Sequence, residues 1–156
     1  MASVSGTVLI DRPRDDVFAY VSDYENDPQW RSGVSGMLHD PPGRVSIGVR
    51  THEVMRFMGR DMATESEVVE YEPGRKIAFR TISGALSARG YRLVEDAGTG
   101  TKLTYHADAD LTAAHRPFTA LIKWVFSRRV DADLTRLTAI LERSGTSGHE
   151  GASSRL

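Results

Sequence analysis

The chain of 156 residues is close to the ~150 expected of a single domain, and a chain of that size buries roughly 68–70% of its unfolded surface without needing metal or disulfide staples. Hydrophobic residues make up 40% and charged residues 26%, the values of a globular chain and not a disordered one. Lys and Arg number 20 against 21 Asp and Glu, so the basic excess that drives nucleic-acid binding is missing, and the absence of Cys excludes disulfides, thiolate metal sites and cysteine nucleophiles.

No stretch reaches the ~18 uncharged apolar residues of a membrane span, so no stable membrane insertion is expected. Asp11, Arg12 and Arg14 interrupt any signal-like apolar core. A cytoplasmic protein, monomer or homodimer, is the expectation.

Residues 4–10 alternate as a strand, and Asp11-Arg12-Pro13 then signals a helix start, with Asp15 and Asp16 placed to face the positive end of its dipole. Val17, Phe18 and Val21 form that helix's apolar stripe. A second, irregular short helix is predicted from Tyr24 to Gln29, across Asp27-Pro28. From Val34 to Leu111 the pattern becomes alternation cut by turn signals at Pro41-Pro42-Gly43, Gly59-Arg60-Asp61, Glu72-Pro73-Gly74, Ser83-Gly84 and Asp96 to Gly100. These predict about six strands, and links this short join only antiparallel neighbours. Apolar residues then keep helical spacing across residues 115–143, from Phe118 to Leu141. Residues 1–143 are read as one domain and 144–156 as a disordered Gly/Ser-rich tail.

An antiparallel sheet with one apolar face, beside a long amphipathic helix, predicts an α+β fold in which the sheet curls around the helix. Period-two reading puts Thr51, Glu53, Met55 and Phe57 on the inner face, with Met62, Thr64, Ser66 and Val68 on the next strand. Ile77, Phe79, Thr81 and Ser83 are also read inward, as are Arg89, Tyr91 and Leu93, and Leu103, Tyr105, Ala107 and Ala109. A dry core rarely holds this much polarity, because each unsatisfied buried polar group costs roughly 1–3 kcal/mol. The mixture predicts an apolar cavity with sparse polar groups, the usual form of a small-molecule site.

Several segments resemble the START-like or SRPBCC superfamily, in its polyketide cyclase/dehydrase and lipid-transport group. They are Ile10-Asp11-Arg12-Pro13, Val17 to Asp23, Pro28-Gln29-Trp30, Gly48-Val49-Arg50, Glu70-Tyr71-Glu72-Pro73, Ile77 to Arg80, and Gly100 to Tyr105, followed by the long helix. The resemblance covers about residues 3–143 and implies the helix-grip fold, a seven-stranded antiparallel sheet gripping the C-terminal helix over a hydrophobic-ligand cavity. Members of that group include aromatase/cyclases and lipid carriers, so fold alone does not select an activity.

Two functions follow as expectations: binding of a lipid, polyketide or aromatic metabolite in the cavity, or acid/base cyclase chemistry there without a cofactor. In the second, Glu53 is the candidate base, its proton affinity raised by an apolar setting, and Tyr91, Tyr105 and Arg89 are candidates to stabilise an enolate. The competing reading of Glu53 is an ion pair with Arg89 or a contact with a cavity Tyr. Ligand-lining candidates are Trp30, Thr51, Met55, Phe57, Ser66, Phe79, Thr81 and Leu103 from the first helices and the sheet, and Phe118, Ile122 and Val125 from the long helix. His39, His52, His106, His115 and His149 show no HxH or HExxH spacing, so no metal site is expected. Residues 98–102 carry glycines between two strands and read as a hairpin, with no following helix to make a phosphate loop. The long helix carries six basic and three acidic residues, read as a solvated back and not a membrane-binding face.

Overall fold

Strand β1 (Ala2–Ile10) alternates in burial, with Ala2, Gly6 and Ile10 turned inward, and it starts earlier than the expected residue 4 because Ala2 and Ser3 pair with Ala109 and Asp108. The computed structural model describes residues 2–57, 59–84, 87–110 and 117–150. Helix α1 (Arg14–Val21) begins after Pro13, whose φ of -58° suits a helix entrance, and buries Val17, Phe18 and Val21. A single 3-10 turn at Tyr24–Asn26 is capped by the Asp23 carboxylate, which accepts from the Glu25 amide at 3.1 Å, and it runs directly into α2 (Asp27–Trp30). The irregular second helix is therefore two short helical turns in succession.

Six further strands follow: β2 (Val34–Asp40), β3 (Arg50–Phe57), β4 (Arg60–Glu72), β5 (Lys76–Gly84), β6 (Ser87–Ala97) and β7 (Gly100–Asp110). With β1 they make one seven-stranded antiparallel sheet in the order β1-β7-β6-β5-β4-β3-β2. Every link from β2 to β7 is a hairpin between sheet neighbours, as the turn signals require. The outer face of the sheet carries cross-strand ion pairs, Arg50 with Glu65 at 2.8 Å and Arg80 with Glu67 at 3.5 Å. This is the helix-grip arrangement, completed by α3 (Thr119–Glu150) lying in the curl of the sheet.

Helix α3 docks on β1 where Gly6 leaves room. A Cβ there would lie 2.7 Å from Leu134 Cδ1 and 2.8 Å from Val130 Cγ1. The core joins α1, β1, β6, β7 and the C-terminal half of α3 through Val17, Phe18, Ile10, Val94, Leu103 and Leu137. The N-terminal half of α3 has no such core beneath it. The helix extends through Ser144–Glu150, residues assigned by composition to the tail. Arg12 binds the Leu141 carbonyl at 2.9 Å and the Asp11 amide binds Glu142 at 3.1 Å, contacts that anchor the helix to the β1–α1 link just before this extension. The expected helix start at residues 115 and 116 and the expected strand end at Leu111 lie outside the described residues, as does the tail from 151 to 156.

Candidate functional site

Between the inner face of the sheet and the N-terminal half of α3 lies a cavity of about 850 Å³, in the range of small-molecule sites. Strand alternation delivers its walls. β3 contributes Thr51, Glu53, Met55 and Phe57, and β4 contributes Met62, Thr64 and Ser66. β5 gives Phe79 and Thr81, β7 gives Tyr105 and Ala107, and α3 roofs it with Phe118 and Ile122. Trp30 closes the end beside α2, where its ring meets Tyr105 edge-on at 6.4 Å.

Two ligand-lining expectations are corrected. Leu103 is 1% exposed and belongs to the solid core beneath the cavity, because it pairs with Val94 near the closed end of the β6–β7 hairpin. Val125 is 38% exposed and does not line the cavity, because the lining residues of α3, Ile122, Phe126, Arg129, Val130 and Asp133, form a stripe with Val125 just beyond its edge. Trp124, beside the mouth, is also exposed and lies under the Arg128 guanidinium at 5.0 Å.

The catalytic expectations divide by strand. Glu53 and Tyr105 face the cavity, whereas Arg89 and Tyr91 stand on the outer face of β6. Arg89 is exposed with Nε 3.6 Å from Asp108, and Tyr91 stacks on His106 at 5.2 Å beneath the Lys76 ammonium at 4.9 Å. The inward residues of β6 are Ala88, Gly90, Arg92 and Val94. Leu93 and Val94 are adjacent aliphatics that point to opposite faces, and Gly90 has no side chain to decide between them, so alternation alone misassigns the strand. A signal was present in the two-residue turn Gly98-Thr99: counting outward from it pairs Tyr105 with Arg92, and paired residues share a face.

Arg92 and Arg31 are the functional groups that sequence reasoning missed. The Arg92 guanidinium grips Asp27 as a fork, Nη1 to Oδ1 at 2.9 Å and Nη2 to Oδ2 at 2.6 Å, and Nη1 also donates to the Val21 carbonyl at 2.8 Å. Tyr24 and Trp30 present their rings to it at 4.6 and 5.0 Å. Arg31 joins the same Asp27 carboxylate at 3.0 Å and reaches Glu53 at 2.6 Å. The polar end of the cavity is thus an alternating chain, Glu53, Arg31, Asp27, Arg92, that straps α2 to β3 and β6. Glu53 forms an ion pair, as its competing reading held, but its partner is Arg31 and not Arg89.

Burial would lower the Arg31 pKa, but Tyr105, Glu53 and Asp27 around it more than reverse this and hold it well above its ordinary value. Burial also pushes the Tyr24 phenol well above its ordinary value, even with the Arg92 charge acting the other way. The Tyr24 hydroxyl and Trp30 Nε1 are buried with no hydrogen-bond partner among the described residues. Both residues line the cavity. Asp23, Glu25 and His39 gather possible ligand atoms within 4.8 Å of one another, but none of the three lines the cavity, and His39 meets both carboxylates at 3.8 Å.

Solved structures with this architecture are diverse. A protein from Thermus thermophilus, TTHA0849, superposes with a TM-score of 0.78 at 18% identity, covering 91% of this chain and 98% of that one. A START superfamily protein from Mycobacterium smegmatis gives 0.71 at 17%, with 92% and 99% covered. The Zhui aromatase/cyclase from Streptomyces sp. R1128 gives 0.70 at 15%, with 90% and 93% covered. At these identities the likeness is one of fold. No curated protein matches the sequence. The family described as polyketide cyclase/dehydrase and lipid transport matches residues 1–142, almost the whole sequence. The chain therefore belongs to the family described as polyketide cyclase/dehydrase and lipid transport, and its cavity and sheet order are those of the fold shared with these structures.

Proposed function

We propose that the protein binds a hydrophobic small molecule, a lipid, polyketide or aromatic metabolite, in the cavity between the sheet and α3. The observation that carries this reading is the 850 Å³ cavity itself, walled by methionine, phenylalanine and alanine side chains with a few polar groups collected at one end. An apolar ligand would remove that surface from water, and each 100 Å² so covered contributes on the order of 2.5 kcal/mol.

Cyclase chemistry is the second reading, favoured by the shared placement of Glu53 and Tyr105 on the cavity wall. It is the weaker of the two. Glu53 is held by the Arg31 guanidinium at 2.6 Å, an ion pair that engages one of its two carboxylate oxygens and stabilises the charged form, and Arg89 and Tyr91 face away from any substrate. Among the described residues no helix is long and apolar enough to cross a membrane, which suits a diffusing carrier without requiring one.

Native mass spectrometry after incubation with a lipid and metabolite extract tests the binding reading. The expected result is one retained small-molecule mass per chain, released by competition with a long-chain apolar probe. A chain that stays ligand-free in every extract and takes up no apolar probe would overturn it.

A further inference from the structure

The charges around the cavity do not balance. Arg31, Arg92, Lys123 and Arg129 line it, against Glu53 and Asp133. The inner chain of Glu53, Arg31, Asp27 and Arg92 is neutral by itself. Asp133 is already engaged, accepting from the Ser32 amide at 3.0 Å and lying 3.8 Å from Arg136. Lys123 and Arg129 are left over, and of the two Lys123 is exposed to solvent whereas Arg129 is partly buried. Arg129 Nη1 is buried with no hydrogen-bond partner among the described residues, and its guanidinium carbon stands 6.0 Å from the Phe57 ring.

Among the described residues no carboxylate forms an ion pair with Arg129. The one acidic residue whose side chain is not described is Glu150, 21 residues along the helix and so about 31 Å away. A guanidinium donor held dry against apolar walls is unfavourable until an oxyanion meets it. Its planar fork matches a carboxylate or phosphate better than any neutral group. The position is also suited to a head group. Arg129 Nη1 lies 3.6 Å from where a Cβ would stand on Gly33, two residues from Arg31, and Arg31 spends only its Nη1 on Asp27 and Glu53.

We propose that Arg129, assisted by Arg31, receives the carboxylate of an acidic amphiphile whose apolar body fills the cavity toward Met55, Met62 and Phe79. This rests on the cavity-binding reading above and adds the charge of the ligand to it. Neutral lipids and polyketide chains without a free acid could offer Arg129 a carbonyl acceptor but would leave its charge uncompensated, so the ligand class narrows to fatty acids and fatty-acid-like metabolites.

Calorimetric titration with dodecanoate and with methyl dodecanoate, on the wild-type chain and on Arg129→Gln, separates the two readings. The wild type is expected to bind the acid about 10-fold or more tighter than the ester, as a charge-assisted hydrogen bond implies. Arg129→Gln is expected to remove most of the acid's advantage with the ester unchanged, leaving only the small part that Arg31 supplies, and Arg129→Lys to restore part of the difference. Equal affinity of acid and ester in the wild type overturns the carboxylate assignment while leaving the cavity reading intact. An acid preference that is undiminished in Arg129→Gln likewise overturns the role of Arg129. Binding of neither ligand overturns both.

Discussion

Asp27 serves two guanidiniums with a carboxylate that is fully buried, sharing Oδ2 between Arg92 and Arg31 and giving Oδ1 to Arg92 alone. Such an arrangement is stable only as a unit, because each charge in it is desolvated and depends on its neighbours. Asp27→Asn keeps the volume of the side chain and removes the charge. Arg31 then retains Glu53, but Arg92 is left at 2% exposure with no anion. The expected cost is about 3–5 kcal/mol, much of the stability of an ordinary domain, read as a lower urea midpoint at unchanged m-value. Arg89→Ala serves as the control. Arg89 also meets an acid, Asp108, but from an exposed position, and its loss should change stability by less than about 1 kcal/mol. Equal losses in the two variants would show that the buried chain is not what holds α2 in place.

At the scale of elements, β6 carries most of what the sequence hides. Strands β3, β4 and β7, and β5 as far as Thr81, read correctly because apolar or small residues recur on one face, from Thr51 to Phe57 and from Leu103 to Ala109, whereas Ser83, read inward, pairs with the outer-face Glu65 beyond a register shift. The hairpin turns and the long helix were equally plain. On β6 both faces carry an arginine and an aliphatic residue, so the inward Arg92 has no local signature, and its partner Asp27 comes from a helix of four residues placed by tertiary packing. Arg31 was illegible for the same reason, since its partner Glu53 is distant in sequence, and the extension of α3 past Ser144 runs through Gly and Ser residues that carry no helical signature. Gly90 is the fixed point of the strand. A Cβ there would lie 2.4 Å from the His106 carbonyl oxygen and 2.9 Å from the Phe79 ring. Gly90→Ala is therefore expected to cost on the order of 1–3 kcal/mol, through displaced Phe79 and a strained β6–β7 pairing. Hydrogen exchange should show the loss of protection concentrated in β6 and β7. A variant as stable as the wild type, with those amides still protected, would mean the two strands can separate locally at little cost.

The whole molecule divides α3 between two tasks. Its C-terminal half, with Leu134, Leu137 and Leu141, completes a core that needs no ligand. Its N-terminal half spans the cavity instead, so the fold remains stable with that space open. Stability and binding are then separable by mutation. Ala107 stands on the cavity wall of β7, outside the set of fully buried core residues, and Ala107→Phe places a ring in the open space. Filling a void without displacing core side chains should leave the melting temperature unchanged or raise it. In the wild type, a ligand at 100 times its Kd should add about 2.7 kcal/mol, a rise of roughly 5–10 °C for a chain of this size. In Ala107→Phe that ligand-induced rise should vanish while the unliganded melt stays cooperative. Should the variant keep the full rise, the ligand would have to sit away from β7, against β3 to β5 or outside the cavity altogether.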